Sequence, residues 1–516
     1  MNKKSISILL VLCLLLTLAL GCKGGDTAAA KNAAADGEAF VYPEGETDYA
    51  ALRTPGSQED AYTYKAFFLP KKDGTATAFV GDTMPYYEDG TYYIYYLKEG
   101  GDSYNHSIYL TTTQDFVTYT EKDDVVLEAN RGGGQDGWLG TGSVVKVKGE
   151  YYFFYTGHAF SDSYEFKEKI FVAKGTDPYA FEKVADWEIV PPSDLGQKND
   201  FRDPQAYYDE AADTITLTVT ASKANKARVL KYSLSSDLQT VTYDGIIFTE
   251  ETGKFWNLEC TDTFQMGDKY YLTYSAQDDT LWYAVADAPY GPYSQPVRLD
   301  GKLFYAAKHV SDGSKVYMVG WARRSESVSS TQDVNGWAGN LAVQELIVRP
   351  DGALALKPVD SILGQYTARR ELLIDTMETT LAAGSSYNYQ DVCTAYESYL
   401  LTGTVQFEKS GSFGLAFDYN GRQDKYKFIT LDPAQGTLSL QFNEGSTTIT
   451  ETAVTLTPGT AYDFTYIQEG SVGIFYLGDQ AALTVRLYGV SGRPVRLFAE
   501  GNTVTLSNLK QYTPAQ

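Results

Sequence analysis

A chain of 516 residues exceeds what one hydrophobic core usually organises, so more than one folded domain is expected. Its formal charge of −23, from 66 acidic against 43 basic residues with no run of Lys or Arg, excludes a polyphosphate partner such as nucleic acid. With 42 Tyr and 24 Phe the composition favours strands and sugar-facing surfaces, so an all-β architecture is the expectation.

The chain opens with Lys3 and Lys4, an apolar run from Ile6 to Leu20, and then Gly21-Cys22. The run is too short and wrongly flanked for a membrane span and reads as a signal peptide over residues 1–21. Its end resembles a bacterial lipoprotein cleavage box, which implies lipidation at Cys22, attachment to the membrane through that lipid, and a place outside the cytoplasm, anchored or secreted. Residues 22–45, rich in Ala, Gly and Asp, read as a flexible tether. Beyond Cys13 and Cys22 only Cys260 and Cys393 remain, so the chain is no disulfide scaffold. The three histidines His106, His158 and His309 are too far apart to form a local metal motif.

From residue 46 to about 360 one pattern recurs five times: an anchor residue, an apolar-aromatic stretch, a tight turn and a second aromatic strand. The repeats run Asp82 to Leu97, Thr141 to Gly157, Asp203 to Ala221, Glu259 to Ala276 and Tyr305 to Trp321. In four of them a glycine stands eight places after the anchor, at Gly90, Gly149, Gly267 and Gly313, where a hairpin needs φ > 0. The third carries a longer loop, Asp209 to Asp213. Anchor spacings of 59, 62, 56 and 46 residues leave room for a four-stranded sheet each time, which predicts a five-bladed β-propeller. In that fold the anchors face one channel, so Asp82, Asp203 and Glu259 are expected to meet there from equivalent positions of blades 1, 3 and 4. After a connector over residues 357–374, short alternating runs separated by Gly, Asn, Asp and Pro predict a β-sandwich over residues 375–516.

Three converging carboxylates suit glycoside hydrolysis, which needs an acid for the departing oxygen and a second carboxylate on the opposite face of the sugar. Crowding of like charges and an apolar wall would raise the pKa of one of them. Trp138 and Trp256, each three residues before an anchor, are expected either as walls of this pocket or as packing between blades.

Phe201-Arg202-Asp203-Pro204 and Glu259-Cys260 resemble the Arg-Asp-Pro and Glu-Cys motifs of glycoside hydrolase family 32, the invertase, inulinase and levanase group. Gly142-Ser143, Tyr155-Thr156-Gly157, Phe304-Tyr305-Ala306, Gly320-Trp321 and Gly336-Trp337-Ala338-Gly339 follow in the family's order, and Gly470 to Tyr488 resembles its last sandwich strands. The resemblance implies a retaining β-fructofuranosidase acting on sucrose, fructo-oligosaccharide or fructan without metal or organic cofactor. Asp82 would be the nucleophile, Glu259 the acid and base, Asp203 the partner of the fructosyl hydroxyls, and Arg202 the cation that holds the carboxylates. Tyr305 is expected among the substrate-binding residues.

The first family motif, Asn-Asp-Pro-Asn-Gly, is Gly81-Asp82-Thr83-Met84-Pro85 here, so a preference for sucrose does not carry over. Asn105 and His106 are candidates for substitute sugar contacts, with loop capping as their alternative. Two other readings compete: an inverting arabinan- or xylan-active propeller hydrolase, and a non-catalytic surface lipoprotein that captures fructan through a degenerate site.

Overall fold

The computed structural model describes residues 62–515, apart from 73–75, 100–105, 131–132, 196–198, 325–336, 385, 419–425 and 443–446. The export segment, the tether, Cys22 and Asn105 lie outside the described residues.

The chain is a five-bladed propeller followed by a β-sandwich. The inner strands of the blades are Phe79–Glu88, Trp138–Val147, Phe201–Asp209, Leu258–Met266 and Phe304–Ser311. Each pairs antiparallel with the next strand in sequence, in four-stranded order outward from the channel. Successive inner strands touch, and the fifth touches the first, so the ring closes. Blades 5 and 1 also share a ladder contact between Gly339 and Val80. The hairpin glycines expected at 90, 149, 267 and 313 all have positive φ, between 62° and 92°.

Both faces of a blade are buried, which is why its strands read as unbroken aromatic runs. In the second strand of blade 2, Tyr151, Phe153 and Tyr155 pack with Tyr95 and Leu97 of blade 1. The alternating residues Tyr152 and Phe154 pack on the other side with Phe201 and Leu217 of blade 3. A period of two therefore hands one strand's rings to two different interfaces.

Every inner strand breaks its ladder near the mouth with a shift in register, at Val80/Thr83, Gly140/Gly142, Arg202/Gln205, Glu259/Asp262 and Tyr305/Lys308. Within three of these bulges Asp203, Cys260 and Ala306 take φ of +59°, +50° and +51°. This corrects the expectation that the three acids occupy equivalent positions. By ladder register Glu259 matches Arg202 and Tyr305, while Asp203 sits one place later, with Cys260 and Ala306. Counting from the hairpin glycine could not reveal this, because blade 3 lacks that glycine and a bulge adds residues to one strand only.

The sandwich has one sheet around Ser398–Phe407 and Ala461–Glu469 and another around Phe413–Asp418 and Tyr426–Asp432. It starts earlier than the sequence reading places it: Tyr366–Arg370 already pairs with Val504–Pro514 as an edge strand. Edge strands tolerate charged residues such as Arg369 and Arg370, which hid this one in the connector. Cys260 and Cys393 are buried free thiols.

Buried polar contacts join the two domains. Arg486 of the sandwich, 1% exposed, donates to the carbonyls of Arg323 at 2.6 Å and Ala322 at 2.8 Å and to Asn340 Oδ1 at 2.5 Å. Asp300 of blade 4 accepts from the amide of Thr484 at 3.1 Å and its hydroxyl at 2.7 Å. Substituting Arg486→Met leaves buried propeller acceptors unpaired and is expected to cost on the order of 3 kcal/mol. Calorimetry should show a lower Tm; an unchanged Tm would mean that the interface does not depend on this guanidinium.

Candidate active site

The bulges turn the residues at the mouth sideways, out of their own ladders and toward the neighbouring blade. Cys260 N–H, freed in this way, donates to Asp203 Oδ2 at 2.7 Å, and Asp203 N–H donates to Thr156 Oγ1 at 2.9 Å. Thr141 of blade 2 donates to Asp82 Oδ2 at 2.9 Å, and its hydroxyl lies 3.7 Å from Cys260 Sγ. The indole N–H of Trp321 donates to Asp82 Oδ1 at 3.3 Å. Glu259 is held by Arg202 Nη2, 3.2 Å from its Oε1, and by the Tyr305 hydroxyl on its Oε2. Asp82, Asp203, Glu259, Arg202 and Tyr305 thus form one connected group, as the sequence reading expects.

The electrostatics follow from burial and crowding. Burial, then repulsion from Glu259, pushes Asp82 up to about 6 against the donors Thr141 and Trp321 and the charge of Lys308. Burial pushes Asp203 up to about 7, helped by the charges of Asp82 and Glu259 and opposed by Arg202 and the Cys260 amide. Asp203 is only 3% exposed, whereas the Glu259 side chain is 30% exposed and open to proton exchange with solvent.

Several members of the site were missed at the sequence level. Glu168, from the third strand of blade 2, binds Arg202 Nη1 at 3.1 Å and accepts from the Phe201 amide at 2.8 Å. Despite burial, these contacts and the charge of Arg202 hold its carboxyl down at about 2. Nothing in the sequence ties Glu168 to Arg202, 34 residues away on another blade. Lys308, 1% exposed, donates to Gly142 O at 2.8 Å and Gln205 Oε1 at 3.0 Å. It carries a buried positive charge further along the channel than Tyr305. Trp321 was legible as a landmark but not as a donor.

Aromatic rings form one wall. His106 stacks between Trp138 and Trp337, with centroids 4.9 and 4.8 Å away and planes within 5° and 8° of parallel. Burial in this stack pushes its imidazole down to about 4, so it is neutral at ordinary pH. Trp337 lies 6.3 Å from Trp321 and covers Gly81, where an added Cβ would come within 2.1 Å of its ring. The residue before Asp82 therefore has no space for a side chain. Trp138 belongs to the stack with His106, whereas Trp256 is 42% exposed on the loop before Leu258.

The sequence of residues 80–358 matches the model of the glycosyl hydrolases family 32 N-terminal domain. A sucrose-6-phosphate hydrolase of Escherichia coli is 27% identical over 270 residues, covering 48% of this chain and 54% of that protein. The chain thus spans about half the length of the curated relative it matches. Among solved structures, the sucrose-6-phosphate hydrolase of Lactobacillus gasseri superposes with a TM-score of 0.68 at 18% identity, over 91% of this chain and 96% of the other. The exo-inulinase of Aspergillus awamori gives 0.68 at 15% identity, over 92% and 100%. A Bombyx mori family 32 β-fructofuranosidase gives 0.65 at 17% identity, over 90% and 97%. These likenesses extend the shared fold across both domains, and with the match over the propeller the chain belongs to glycosyl hydrolase family 32.

Proposed function

We propose that the chain hydrolyses β-fructofuranosyl linkages of sucrose, fructo-oligosaccharide or fructan with net retention at the anomeric carbon. The observation that carries this reading is the gathering of Asp82, Asp203 and Glu259 at one channel mouth, close enough for their charges to act on one another. An Asp82 carboxylate oxygen attacks the anomeric carbon as the bond to the leaving oxygen breaks, and Glu259 gives that oxygen its proton. The result is a fructosyl ester on Asp82. Glu259, now a base, takes a proton from water, whose oxygen displaces Asp82 and releases fructose. Arg202 and Tyr305 fix the Glu259 carboxyl through both steps. Asp203 binds ring hydroxyls, and those bonds strengthen as positive charge grows on the ring.

Family membership and the three acids in place favour this reading over the inverting propeller hydrolases and over a capture protein. Export and anchoring through a lipid on Cys22 belong to the same proposal, since fructans are met outside the cell. Cys22→Ala should abolish incorporation of labelled fatty acid; a labelled variant would remove the anchor.

Asp82→Asn should lose at least about 10⁴-fold in kcat on sucrose or inulin, and NMR of the first fructose released by wild type should show the β anomer. First release of the α anomer would replace this mechanism by single displacement. Glu259→Ala should lose far more activity on sucrose than on an aryl fructoside whose leaving group needs no proton, and equal losses would remove the acid role.

The pH dependence has a definite sign. Asp82 must be ionised to attack and its pKa is raised to about 6, so kcat/KM should fall tenfold per pH unit below about 6. Because the carboxylates interact, the limb reports the group as a whole. Lys308→Met removes a charge that lowers the Asp82 pKa and should move this limb to higher pH. A limb that stays in place would show that Asp82 ionisation does not control it.

A further inference from the structure

At the end of the channel away from the acids, blades 3, 4 and 5 form a second cavity of about 320 Å³. Thr263, Phe264 and Gln265 of its wall lie four to six residues beyond Glu259, about 13–20 Å along the strand at ~3.3 Å per residue. Tyr207, Tyr270, Tyr290, Tyr293 and His309 complete the lining. Among the described residues no carboxylate, Lys or Arg lines it, although the chain as a whole carries −23.

The cup is polar in a specific way. Asp262, fully buried behind it, accepts from Tyr207 OH at 2.8 Å, from His309 N–H at 2.8 Å and from His309 Nδ1 at 2.6 Å. The charge of His309 and these donors hold the Asp262 carboxyl low despite its burial, so it remains an acceptor and fixes the imidazole. Phe264 packs on the His309 ring at 4.3 Å. Among the described residues, His309 Nε2 and the hydroxyls of Tyr270, Tyr290 and Tyr293 have no hydrogen-bond partner. The Thr263 hydroxyl, on a residue 5% exposed, is likewise unpaired. A buried hydroxyl such as that of Thr263 seldom stays unpaired, and an aromatic cup with a few fixed polar groups is the usual form of a small-ligand site.

We infer that this cup is a second, non-catalytic saccharide site that takes one or two neutral sugar units of the same fructan that the channel cleaves. Flat tyrosine faces cover the C–H surface of a sugar ring, while the phenols, His309 Nε2 and Gln265 meet its hydroxyls. A lining without carboxylate, Lys or Arg, whose one imidazole is paired with Asp262, suits an uncharged polyhydroxyl ligand in a strongly acidic protein. Such a site would hold a polymer to the protein between cleavages and raise the local concentration of chain ends. The identity of the sugar rests on the fructoside reading above; the existence of the cup does not.

The test uses the full chain carrying Asp82→Asn, titrated calorimetrically with a short neutral inulin-type oligosaccharide. Two binding events per chain are expected. Tyr290→Ala, and separately Tyr270→Ala, should weaken one event at least tenfold while Tm stays that of the parent. One event that neither tyrosine affects would overturn the inference. One event abolished by Tyr290→Ala would keep the cup and remove the fructoside reading of the channel. If Tyr290→Ala alters sedimentation but not the titration, the cup is a contact between copies and the inference fails.

Discussion

A closed belt of hydrogen bonds between neighbouring blades holds the channel mouth in shape, and two of the carboxylates are links in it. Thr141 reaches back to Asp82, Asp203 N–H to Thr156, Cys260 N–H to Asp203, and Ala306 N–H to Ser275 Oγ at 2.9 Å. Thr83 closes the circle with a bond of 2.7 Å to Val319 O of blade 5. Each junction is therefore tied at least once at the level of the acids. Three of the five links exist because the ladder fails there: a residue in regular pairing spends its N–H within its own sheet, whereas a bulged residue has it to spare; the other two are threonine hydroxyls. Positive φ at Asp203, Cys260 and Ala306 is the local strain that accompanies this arrangement.

Membership of the belt makes the acids rigid and also removes them from water. Asp203 receives a backbone donor and lies beside the Arg202 guanidinium, yet its pKa rises, so desolvation and the two neighbouring carboxylates together outweigh both. Arg202 cannot cancel the whole negative charge because Glu168 and Asp200 share it, each at 3.1 Å. What remains is a pocket poor in cations for the number of acids it holds. In the proposed reaction, such a pocket attracts the positive charge that develops on the sugar ring.

The architecture was legible because its signals are local. A hairpin glycine with positive φ and an aromatic run with both faces buried are written within about ten residues, and repetition multiplies them. Asp82, Asp203, Glu259, Arg202 and Tyr305 could be named because each stands at the same place in such a unit, or within one or two residues of it. The sequence could not show the offset of one place between Asp203 and Glu259, since a bulge leaves no composition signal. Glu168 and Lys308 were missed for a different reason. Their partners, Arg202 for one and Gly142 with Gln205 for the other, lie on different blades, and only the closed ring brings them near. The Tyr366–Arg370 strand went unread because an edge strand needs no apolar alternation to hold its place.

The altered first motif has a structural counterpart that bears on specificity. Before Asp82, where the motif it resembles has an asparagine, this chain has Gly81, and the Trp337 ring occupies the space a side chain would need. The Trp337 face beside Asp82 is continued by the neutral ring of His106 and by Trp138. Apolar faces discriminate weakly among sugars that differ by a hydroxyl, whereas an amide left unpaired in a buried site would penalise the wrong one strongly. In the proposed reaction, recognition of the sugar falls on the carboxylates and their donors. The wall next to them selects for shape, and the stack leaves His106 little freedom to act as anything other than a plane.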